Sequence, residues 1–132
     1  MHRLIEHNAK LVTELHQRIH KEFRARPNSA AHRDACKEFH ERYDGLAFPG
    51  GYESGLARLK DGDPATIEAA LVFLEVRPYF FRSQYMMTKL TRLLNHATMS
   101  VGQRERFVKL RLKKVKKISF RFEVRQEDGR NV

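Results

Sequence analysis

Residues 63–76 read DPATIEAALVFLEV, and this stretch decides the fold. Asp63 supplies a side-chain acceptor for a helix N-terminus, and Pro64 fits the first helical position, where its missing N–H costs nothing. From Ala65 to Val76 the residues are apolar nearly all round a helical wheel, so this segment is expected to be the central buried helix, stopped at Arg77-Pro78.

Outward from that helix, the pattern is helical on both sides. In residues 2–26, Leu4, Leu11, Leu15, Ile19 and Phe23 recur at spacings of three and four with Val12 beside them, which predicts one long amphipathic helix. Pro27-Asn28 ends it and Ser29 caps a second helix, about 30–43, with Ala35, Phe39 and Tyr43 inward. The stretch Asp44 to Ser54, DGLAFPGGYES, carries three Gly and a Pro and is expected to be an ordered loop held by Leu46, Phe48 and Tyr52. A short helix near 53–60 stops at Asp61-Gly62. After the corner YFFR (79–82), Ser83 starts a helix with Met86, Met87, Leu90, Leu93, Leu94 and Ala97 on one face. Thr98 or Ser100 then caps a last helix, with Phe107, Val108, Leu112 and Val115 inward.

The expected fold class is all-α, a compact array of five or six antiparallel helices with an extended C-terminal tail. The expected organisation is a single helical domain over 1–118 and a tail over 119–132. In the tail Ile118, Phe120, Phe122 and Val124 alternate with polar residues, the period of a strand, with helix continuation the competing reading. A lone strand needs a partner, so the tail is a candidate for homodimer formation.

Composition narrows the function classes. A chain of 132 residues with 41% hydrophobic content and nine Phe can bury a core, despite 32% charged residues. The one cysteine, Cys36, excludes an internal disulfide and fits a reducing compartment. The N-terminal residues are charged throughout, and no run approaches the roughly 18 apolar residues of a membrane span. A cytoplasmic protein without membrane partners is expected.

Charge is the strongest functional signal. Arg104 to Lys117, RERFVKLRLKKVKK, sets eight cations against one carboxylate and so holds seven of the ten net positive charges. Concentrated positive potential captures polyanions: nucleic-acid phosphate or an acidic protein surface. On a helical wheel Arg106, Lys109, Lys113, Lys116 and Lys117 share one side, with Lys114 beside them, opposite Val108, Leu112 and Val115. These six cations are the candidate binding residues for nucleic acid or an acidic partner. Arg104 and Arg111 fall on the apolar side, positioned to pair with carboxylates inside the fold.

No catalytic signature stands out, and no cofactor is expected. His16 with His20, and His32 with Cys36 and His40, have the four-residue spacing of helical metal ligands, so a metal-dependent enzyme is the third reading behind nucleic-acid binding and protein interaction. Neither set has a third carboxylate at fixed spacing, and no metal ligand is assigned. Cys36 at the margin of an apolar stripe is expected to be an inert core residue rather than a nucleophile. The FPGG turn (48–51) lacks the Lys-Ser/Thr of a phosphate loop and follows a helix, so tight turning is its expected role. YFFR sets aromatics beside Arg82, the chemistry of base stacking, but a corner between two helices is expected to close the core instead.

Residues 63–100, from DPATIEAALVFLEV through RP to SQYMMTKLTRLLNHA, resemble a HEAT-type helical hairpin. The strings FHERYDGLAFPGG (39–51) and RPYFFRS (77–83) are similar to those of small bacterial proteins of uncharacterised function. The resemblance implies helical-hairpin packing and brings no activity with it.

Overall fold

A computed structural model describes residues 1–113, and the chain divides into two units, Met1–Thr98 and Met99–Val132. The described residues are all-α. The first unit contains α1 (His2–Ala25), α2 (Ala30–Ala47), α3 (Tyr52–Lys60), α4 (Pro64–Val76) and α5 (Ser83–Leu94).

The connection between α1 and α2 is short because Pro27 cannot continue the first helix and Ser29 caps the second, its Oγ accepting from the His32 N–H at 3.1 Å. The two helices run antiparallel. Along the seam His16 meets Phe39, Arg18 reaches Glu38 and Phe23 meets His32, so partners descend α2 as they ascend α1. Burial on α1 follows Ile5, Val12 and Leu15, whereas Leu4 and Phe23 are exposed. The expected stripe is thus shifted at both ends: Ile5 replaces Leu4, and Phe23 lays its ring edge-on against His32.

α2 runs to Ala47, through residues expected to form a loop. Gly45 is tolerated because it lies in open space on the exposed side, with no atom within 4 Å of a Cβ placed there. The real break is Phe48 to Gly51, where Gly50 (φ 78) and Gly51 (φ 95) take left-handed backbone that side chains disfavour.

α4 is the centre, as its composition requires. It packs against α1, α3 and α5, and Ala70, Leu71 and Phe73 have no exposed surface. Asp63 caps it, accepting from the Thr66 N–H at 3.0 Å. The Phe73 ring lies between Phe48, 5.9 Å away, and Phe80, 6.2 Å away, tying the α2–α3 turn to the α4–α5 corner. Each such side chain contributes about 1.5–3 kcal/mol by leaving water.

The corner itself departs from expectation. Phe80 is buried, but Tyr79 is 93% exposed and Phe81 is half exposed. Only one of three aromatics closes the core, because Arg77 (φ 53) and Arg82 (φ 68) both adopt left-handed backbone and turn the chain sharply around Phe80. Reciprocal bonds between Phe80 and Ser83 lock the turn: Ser83 Oγ accepts from the Phe80 N–H, and the Phe80 carbonyl from the Ser83 N–H.

In the second unit, residues 101–113 are helical up to the last described residue. Ser100 is the cap. Its Oγ accepts from the Gln103 N–H while Gln103 Oε1 accepts from the Ser100 N–H, both at 3.2 Å, a reciprocal capping box. Val115, the alternating residues Ile118 to Val124 and the tail 119–132 lie outside the described residues.

Candidate functional site

The helix 101–113 carries the described part of the basic segment, and its faces differ from the expected ones. Phe107 is its buried residue, 2% exposed, whereas Val108 and Leu112 are exposed. The buried line therefore passes through Phe107 and leaves Val101, Val108 and Leu112 as an exposed apolar stripe at spacings of seven and four. Sequence periodicity alone could not rank Phe107 above Val108, because adjacent residues differ by only about 100° around a helix.

The cations divide accordingly. Arg104 and Arg111 set their guanidinium carbons 5.8 and 6.0 Å from the Phe107 ring centroid. They flank an aromatic ring, a place that a planar, weakly hydrated guanidinium suits. Lys109 and Lys113 are exposed, and Arg106 is half-buried and already has a partner. Lys114, Lys116 and Lys117 lie outside the described residues.

The histidines form a chain of ring contacts. His16 and His20 meet edge-on at 4.7 Å, and His16 stacks on Phe81 at 5.2 Å with planes 17° apart. His32 Nε2 lies 3.6 Å from Cys36 Sγ, while its Nδ1 accepts from the Asn28 backbone N–H at 3.3 Å. An accepting Nδ1 puts the ring proton on Nε2, so His32 faces the thiol as a donor rather than as a base. His40 is exposed and has a ring contact with its neighbour Phe39. Among the described residues, no three His, Cys, Asp or Glu side chains converge to hold a metal ion.

Two open cavities lie in the first unit. One, about 530 Å³, is formed by α1 and the segment 76–79, where Thr13 Oγ1 meets the Tyr79 carbonyl at 3.3 Å. The other, about 310 Å³, lies between the α2 end, the α3 start and α5. It gathers Tyr43, Tyr52 and Tyr85 with two acids and two bases. Tyr52 is 7% exposed, and its hydroxyl is the one buried side-chain polar atom without a hydrogen-bond partner among the described residues. Burial, then the neighbouring Tyr85, Glu53 and Tyr43, push this phenol up to about 12 despite an opposing contribution from Arg82. Sequence reading treated Tyr52 as an apolar loop anchor; the convergence of three helices on its hydroxyl leaves no periodic trace.

No protein-family model matches the chain, and no curated protein or solved structure matches it. Among the described residues, no helix is long and apolar enough to cross a membrane.

Proposed function

We propose that the protein is a non-enzymatic, cytoplasmic nucleic-acid-binding protein, engaging phosphates through Arg106, Lys109, Lys113, Lys114, Lys116 and Lys117. The observation that carries this reading is the concentration of charge: seven of ten net positive charges fall in Arg104 to Lys117. The exposure of Lys109 and Lys113 on a capped helix supports it, since a preformed helix holds its cations without further ordering cost. Tyr79, 93% exposed, offers a stacking surface elsewhere on the same chain.

Binding of this kind reads backbone charge and has little sequence preference. Affinity falls by roughly 0.9 log unit per log unit of salt for each phosphate neutralised. Replacing Lys109, Lys113 and Lys116 by Glu is expected to abolish retention on nucleic acid at low salt; unchanged retention would end the proposal.

One observation favours a second reading, an interaction module for an acidic protein. Val101, Val108 and Leu112 are exposed on the basic helix, and an apolar stripe beside cations fits an amphipathic protein surface. Pull-down from cell extract with and without nuclease separates the two: partners lost on nuclease treatment support nucleic acid, and partners retained support the protein.

A further inference from the structure

The 310 Å³ cleft of the first unit has walls of opposite charge. On one side, α5 and its N-cap present Arg82, Tyr85 and Lys89, spaced by three and four so that they share a helical face. On the other, the end of α2 presents Asp44 and the first turn of α3 presents Glu53. These acids are held together, Asp44 Oδ1 accepting from the Glu53 N–H at 2.9 Å. Among the described residues, no ion pair joins Arg82 or Lys89 to Asp44 or Glu53 across the cleft. Leu56 and Met86 supply apolar lining between the charged walls.

A lone anion in this cleft meets the acidic wall, and a lone cation meets the basic one. Only a molecule carrying both charges satisfies the two. Tyr52 lines the same cleft, with its hydroxyl closed off from solvent.

We propose that this cleft binds a small zwitterion, a free α-amino acid with a large apolar or aromatic side chain. Its carboxylate takes Arg82 and Lys89, its ammonium takes Asp44 and Glu53, and its side chain lies on Leu56, Met86 and the Tyr85 ring. The cleft volume lies at the lower end of the roughly 300–1,000 Å³ typical of small-molecule sites. The site is separate from the basic helix, and its test contains no nucleic acid, so either reading can fail alone.

The test is titration of the full chain with L-phenylalanine, followed by amide chemical shifts in a ¹H–¹⁵N correlation spectrum. Two half-ligands run in parallel: 3-phenylpropionate, which lacks the ammonium, and phenethylamine, which lacks the carboxylate. A ligand of about 12 non-hydrogen atoms should saturate with a Kd of about 1 mM or tighter, shifting residues around Tyr43, Tyr52 and Tyr85. Each half-ligand should bind roughly tenfold or more weakly, and Lys89→Gln and Glu53→Gln, one from each wall, should each weaken L-phenylalanine by roughly three- to tenfold. No saturable shift, equal binding of a half-ligand, or unchanged affinity in the variants overturns the proposal.

Discussion

The Asp44 carboxylate, near the end of α2, accepts the Glu53 backbone N–H of α3 at 2.9 Å. The α3 N-cap position is Gly51, whose missing side chain cannot cap, so an acid from the preceding helix does so across the turn. The bond also closes the Phe48–Gly51 turn, because it joins Asp44 on the α2 side to Glu53 on the α3 side. Removing it by Asp44→Ala is expected to cost about 0.5–2 kcal/mol, the usual range for a lost cap. Asp44→Asn keeps an acceptor and should lose less than half as much. Thermal denaturation of the three proteins checks the order.

Two helical glycines should respond to alanine with opposite signs. In a helix interior alanine is favoured over glycine by about 1 kcal/mol. At Gly45 of α2 a Cβ meets no atom within 4 Å, so Gly45→Ala should stabilise by about 0.5–1 kcal/mol. At Gly55 of α3 the same atom would lie 2.9 Å from the Phe48 ring, which is itself 1% exposed and has nowhere to go. Overpacking of this kind costs about 1–3 kcal/mol and outweighs the propensity gain, so Gly55→Ala should destabilise by about 1 kcal/mol. Urea midpoints moving in the same direction for both would contradict this account of the α2–α3 turn.

These two glycines also show where the sequence was legible. Elements with local signals emerge directly: α4 from Asp63-Pro64 and its all-round apolar composition, α2 from Ser29, and the last helix from a cap at Thr98 or Ser100, of which Ser100 is the one used. Gly45 misleads because a glycine reads as a breaker until its surroundings are known, and α2 runs through it. Tyr79 and Phe81 mislead because two left-handed arginines, not hydrophobicity, decide which way the corner turns. The Tyr52 cleft has no local signal at all; it exists only once residues from α2, α3 and α5 converge. On the basic helix the exposure of Lys109 and Lys113 and the burial of Phe107 were legible, whereas the exposure of Val108 and Leu112 was not.

Acid should weaken the α4 cap before it affects the apolar core. Asp63 accepts from both the Thr66 hydroxyl and its backbone N–H, and these bonds hold its carboxyl below the ordinary 3.8. A depressed folded value means that the contribution is present above about pH 4 and fades as pH falls through the folded value. Asp63→Asn cannot titrate. The stability difference between wild type and variant should therefore be largest near neutral pH and shrink below about pH 4, as read by thermal melts across pH 2–7.

Alkali tests the orphan hydroxyl. Tyr52 is raised from 10.0 to about 12 in the folded chain, chiefly by burial. Below pH 10 both folded and unfolded forms are neutral at this residue, and the stabilisation from keeping it neutral is complete. As pH rises from 10 to about 12 the unfolded chain ionises first, so that stabilisation is lost. Tyr52→Phe removes the titration, and its melting temperature should fall less steeply across this window than that of wild type. At neutral pH the variant should be at least as stable as wild type, because the hydroxyl has no partner and an unpaired buried donor costs about 1–3 kcal/mol. A marked loss of stability at neutral pH in Tyr52→Phe would mean that the hydroxyl is already satisfied, by a buried water for instance.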